Sequence, residues 1–133
     1  MRRPDGRRGS TLIESTLVLL SFAVLLGGIM EVGFAGMAAN AVAFAAQRAA
    51  RWASVRGSAS GHVASLADVQ NIAKQYATPL NPSSVSVSVT WPGNKSPNTL
   101  VQVVVSYPIT PVFLPLTGGP LTLTATACQN IVQ

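Results

Sequence analysis

Three residues near the start of the chain have types and spacing suited to one piece of chemistry. Gly9 and Ser10 follow the basic residues Arg2, Arg3, Arg7 and Arg8, and Glu14 comes four residues after Ser10, just ahead of an uncharged apolar stretch. A secretory signal is cut after its apolar region, whereas here the glycine precedes it. Hydrolysis of the Gly9–Ser10 bond would remove the charged leader and leave the apolar segment at a new terminus carrying the Ser10 α-amine. On a helix, Glu14 lies one turn from that amine on the same face. A carboxylate in lipid is costly and is usually paired; the Ser10 ammonium of the same chain, or of a neighbour, is the nearest cation. The spacing therefore fits processing followed by an ion pair. A second carboxylate, Glu31, closes the apolar stretch. It has two readings: pairing with a neighbouring subunit, or a seat at the outer headgroup level.

Other chemistry has little to work with. His62 is the only histidine and Cys128 the only cysteine, so Cys-x-x-Cys motifs, internal disulfides and cysteine-based zinc sites are excluded. The four acids are Asp5, Glu14, Glu31 and Asp68, and no Gly-rich loop ending in Lys-Ser/Thr is present. We expect no enzyme activity, no cofactor, no metal and no small-molecule substrate. Only 10% of the 133 residues are charged while 48% are apolar, well below the quarter or so charged in a typical soluble domain. The net charge of +5 is concentrated in the first nine residues, whose side chains carry +3, leaving +2 on the rest. That remainder has no basic stripe with interleaved aromatics, which argues against nucleic acid. Cys128 is read as a packed strand residue, with an intermolecular disulfide as the alternative.

The elements that must position these residues follow from hydropathy and period. Residues 15–30 (STLVLLSFAVLLGGIM) carry no charge and, extended by a few residues on either side, suffice for a hydrocarbon core of about 30 Å. Beyond Glu31 the texture becomes Ala- and Gly-rich. Phe34, Met37, Ala41 and Phe44 recur at the spacing of one helix face, and Ala35, Ala39 and Ala43 form a small-residue row open to another helix. We expect one helix from about Ser10 to about Val55, half in the membrane and half outside. Arg48, Arg51 and Arg56 near its far end suit lipid headgroups, partner subunits or plain solvation. Ser65-Leu-Ala-Asp68 fits a capping box opening a short helix, with Leu66, Val69, Ala73 and Tyr76 on one face and Pro79 and Pro82 closing it. Residues 85–91, 100–107 and 121–127 alternate apolar with small polar types and read as strands. Trp52, Trp91, Tyr76 and Tyr107 are expected in the core. The apolar connection between the last two strands, with Ile109, Val112, Phe113, Leu114 and Leu116, must pack on something. The fold class is thus α+β and membrane-anchored: one long N-terminal transmembrane helix extending outside the membrane, a short second helix and a small three-stranded antiparallel sheet. Residues 1–9 form a leader, residues 10–56 the long helix (membrane half about 11–33) and residues 57–133 a small extracytoplasmic domain.

The order Gly9-x-x-x-x-Glu14 between a basic leader and an apolar helix resembles a type IV prepilin processing site. The wider pattern resembles TadE-like minor pseudopilins of the tight-adherence (Flp) pilus system, in Leu12-Ile-Glu14, Gly28-Ile-Met-Glu31, the Ala/Arg-rich run of residues 45–53 and the tail segments 105–111 and 120–127. Two features depart from that pattern. Glu31 is followed by Val-Gly-Phe-Ala and no nearby Arg, and Ser10 stands where many pilins carry a bulky aromatic. The resemblance implies cleavage by a prepilin peptidase, contact with the lipid bilayer, with other pilin or pseudopilin subunits and with the Tad assembly machinery, and Glu14 and Glu31 as assembly residues. It places the chain in the bacterial inner membrane, single-pass, with its C-terminal part extracytoplasmic and possible association with a pilus. The four leader arginines support that orientation. Two other readings compete: ordinary secretion, cut after Ala41 at Ala39-Asn-Ala41, and an uncleaved single-span anchor.

Overall fold

The computed structural model describes residues 7–112 and 119–132, with side chains from Ser10 onward; the first six leader residues and Phe113, Leu114 and Leu116 lie outside the described residues. The order of elements is α1 (Arg7–Ser54), α2 (Leu66–Tyr76), β1 (Ser86–Thr90), β2 (Leu100–Ile109) and β3 (Leu121–Asn130). The long helix, the short helix and the three-stranded antiparallel sheet are those expected from the sequence.

Helix α1 has 48 residues, about 72 Å at 1.5 Å per residue, more than twice a hydrocarbon core. It begins three residues before the expected Ser10. A single glycine costs a helix only about 1 kcal/mol relative to alanine, so Gly9 does not stop it. Over its first half the large side chains point outward: Leu12 is 70% exposed and Met30 75%. The hydroxyls there are internally satisfied. Ser15 Oγ donates to the Thr11 carbonyl at 2.7 Å, Thr16 Oγ1 to Leu12 at 2.7 Å and Ser21 Oγ to Leu17 at 2.9 Å. Such back-bonding allows polar side chains on a helix that has no water beside it.

The outer half of α1 is packed, but on a face other than the one its aromatics suggested. Ala38, Val42, Ala45, Ala46, Ala49, Ala50 and Ala53 are buried, whereas Phe34, Met37 and Phe44 remain more than 40% exposed. Of the small-residue row, Ala39 is exposed and Ala35 and Ala43 are half-buried. The alanines admit the chain's own sheet and α2, since a short side chain lets backbones approach closely. Val101, Val103 and Val105 of β2 and Val69 and Ala73 of α2 belong to the same core.

The sheet is a meander, β1-β2-β3, with β2 central. Strands β2 and β3 pair without a break from Leu100↔Asn130 to Ile109↔Leu121, longer than the expected 100–107 and 121–127. Pro108 lies beyond the Ser86↔Ser106 pair at which the β1 ladder stops, where β2 has a partner strand on one side only. Val132 N–H donates to the Ser54 carbonyl at 2.9 Å, while Ile109 and Val112 lie beside Glu31. Strand β3 therefore stands along the outer half of α1.

Helix α2 starts as expected. Ser65 is its N-cap and the capping box with Asp68 is complete. Ser65 Oγ lies 2.6 Å from Asp68 Oδ2 and the Ser65 N–H donates to that oxygen at 3.2 Å. These bonds, the side-chain one foremost, hold the Asp68 carboxyl below its ordinary value. Tyr76 and Leu66 are exposed rather than core, because α2 turns only Val69 and Ala73 fully inward. Trp52, Trp91 and Tyr107 do pack against the core, half-buried.

Candidate assembly site along the N-terminal helix

The structure places Gly9 and Ser10 within the opening turns of α1, not ahead of it. The first four N–H groups of a helix have no intrahelical partner, so this is the end of α1 that opens most easily. Glu14 follows one turn after Ser10. Its carboxylate is exposed and, among the described residues, has no hydrogen bond or ion pair. Around it stand Leu12, Ile13, Leu17 and Val18, each 64–73% exposed. This surface is apolar with one uncompensated acid, an arrangement that in lipid calls for a cation from outside the segment.

Glu31 is not brought near Glu14. Seventeen residues separate them, about 26 Å along the axis, and their faces differ by roughly a quarter turn. Glu31 instead finds a partner in its own chain: Oε1 accepts a hydrogen bond from the Val112 backbone N–H. Beside this contact runs an apolar groove of about 740 Å³ between Ala23, Leu26, Gly27, Met30 and Phe34 of α1 and the Tyr107–Val112 end of the sheet. The strand connection thus rests on α1 where the exposed apolar half gives way to the packed half.

The basic residues are held by rings rather than acids. The Arg48 guanidinium lies 5.0 Å from the Phe44 ring centroid and 5.9 Å from that of Tyr76. Arg56 covers Trp52 at 4.1 Å, and Lys95, at 4.5 Å from Trp91, also donates to the Ala64 carbonyl at 2.7 Å. Periodicity did not reveal these clusters, though Phe44-x-x-x-Arg48 is a one-turn spacing that would have. Arg48 stands about 26 Å beyond Glu31 along α1, too far to share a headgroup layer with it when the helix is upright. Cys128 is exposed on β3, contrary to its expected packing, because its register opposite Gln102 puts it on the polar outer face. No cluster of three His, Cys, Asp or Glu capable of holding a metal occurs among the described residues.

An exposed apolar helix running unbroken into a small packed head of one short helix and three strands defines a membrane-anchor-like α+β protein. Among the described residues, α1 is the one helix long and apolar enough to cross a membrane. Residues 9–51, most of that helix, match the family model described as TadE-like protein. The match contains Gly9, Ser10, Glu14 and Glu31 and stops short of α2 and the sheet. Neither a curated protein nor a solved structure matches the chain.

Proposed function

We propose that this chain is a minor pseudopilin of a Tad/Flp pilus system and works by assembly rather than catalysis. A prepilin peptidase cuts Gly9–Ser10 after the opening turns of α1 unwind. The freed helix anchors the chain in the bacterial inner membrane with the head outside, and packs against other pilin or pseudopilin helices. The Ser10 ammonium and Glu14 set the register between neighbours. The observation that carries this reading is the Glu14 carboxylate, without a partner among the described residues, on the exposed apolar half of α1 and inside the segment that matches the TadE-like model.

The competing cut after Ala41 falls where α1 is packed on the sheet, with Ala38 and Val42 buried on either side. A peptidase acting there must first undo part of the core. The intact mass of the chain recovered from membranes separates the readings. A mature chain starting at Ser10 is expected; a start at Val42, or a retained leader, overturns the proposal.

A further inference from the structure

The two edges of the sheet are treated differently. Strand β1 has five residues, and Gln70 of α2 reaches it, Nε2 donating to the Val87 carbonyl at 3.1 Å. Strand β3 has ten residues, LTLTATACQN, without charge or proline, and its unbroken pairing with β2 contains no bulge. Among the described residues nothing pairs with its outer edge. Its backbone groups on that side face outward over roughly 33 Å. Short strands, lysines, prolines and bulges are usual protections of an edge; β3 has none of these, and α1, the helix beside it, packs on the face that carries Leu123, Ala125 and Ala127.

Beside one end of this edge lies a second feature. A polar recess of about 420 Å³ is lined by Gln129 of β3 and by Phe44, Gln47, Arg48 and Arg51 of α1. Arg48 is pre-positioned by its two rings, and no carboxylate among the described residues pairs with either arginine. The recess sits some 26–30 Å along α1 beyond Glu31, which separates it from the lipid surface that borders the apolar helix.

We propose that β3 is a strand-addition site for an extended segment of a protein partner. The segment carries a carboxylate where it passes Gln129, and that carboxylate is taken by Arg48 and Arg51. The backbone ladder supplies the affinity, and the two arginines fix register and direction. This surface lies outside the TadE-like segment's membrane half and operates whether or not Gly9–Ser10 is cut.

The test uses the full chain in detergent micelles and fluorescent ten-residue peptides of alternating Thr and Val. One peptide ends in Glu, a second in Gln, and a third repeats the first with its backbone N-methylated. Fluorescence anisotropy should show the Glu peptide binding about fivefold more tightly than the Gln peptide. The Arg48→Gln, Arg51→Gln double variant should bind the two alike, and the N-methylated peptide should not bind. Equal binding of the Glu and Gln peptides to the unaltered chain overturns the role of the arginines. Undiminished binding of the N-methylated peptide overturns strand addition. Failure of every peptide to bind, or self-association through β3 in its place, overturns the proposed partner.

Discussion

Replacing Ala49 with leucine tests the packing of α1 most sharply. Ala49 has no exposed surface and lies in the core that α1 shares with α2 and the sheet. Leucine adds three carbons inside a core built largely of alanines and valines. Overpacking of this kind costs about 1–3 kcal/mol. Intrinsic helix preference cannot supply that loss, because leucine ranks next to alanine. The control is Gln47→Leu on an exposed part of the same helix, expected to change stability by about 0.5 kcal/mol or less. Thermal unfolding in detergent, followed by near-ultraviolet circular dichroism of Trp52 and Trp91, should show a lower midpoint for Ala49→Leu. The fall should be roughly 4–8 °C per kcal/mol for a head of this size. The far-ultraviolet helix signal of the membrane half should persist. Equal midpoints for the two variants would refute the argument that the alanine face sets the helix–sheet distance.

Three further outcomes follow from single contacts. A Cβ at Gly93 would meet Thr99 Cγ2 at 2.2 Å and Cβ at 2.5 Å, so Gly93→Ala should destabilise the head by about 1–3 kcal/mol, and adding Thr99→Gly should recover much of it in the same unfolding assay. The Asp68 carboxyl is held below its ordinary value of 3.8 by its bonds with Ser65. Its contribution to α2 is therefore complete above the unfolded value and fades as pH falls through the lower folded one. Acid titration of α2 amide exchange should show that loss, and Asp68→Asn should flatten it. Glu31→Ala removes the acceptor of the Val112 N–H, so exchange of that amide should speed up while Glu31→Gln, which keeps an acceptor oxygen, stays close to the unaltered chain.

What was legible in the sequence was local. Ser65 and Asp68 are three residues apart and their capping box needs nothing else, so α2 began where expected. Strict alternation in residues 85–91 fixed which valines face inward, and three strands with short or turn-rich connections pair as a meander. The helical face of α1 was less readable. So many of its outer residues are alanine that hydropathy offers no contrast around the helix, and the eye follows Phe34, Met37 and Phe44. Which face is buried is decided by the sheet, whose valines fit against small side chains. Glu31 illustrates the same limit at the site: its partner, Val112, is 81 positions away, and no local pattern announces such a bond. The spacing Gly9–Ser10–Glu14 can be read because it runs along a single helix turn, and the cleavage and pairing assigned to it belong to the proposed function. Residue type argues for a packed Cys128, and a face shared with Leu66, Val69 and Ala73 argues for a packed Tyr76, but strand register and helix phase turn both outward.

The central claim is that the TadE-like helix assembles through Glu14, and co-isolation of Glu14→Ala with partner pilins tests it most directly. Membranes from cells making the unaltered or variant chain should contain equal amounts of protein starting at Ser10, since removing a carboxylate does not hinder insertion of an apolar helix. The unaltered chain should bring down pilin subunits and the variant should bring down few. Equal recovery of those subunits from equally processed chains would contradict the account.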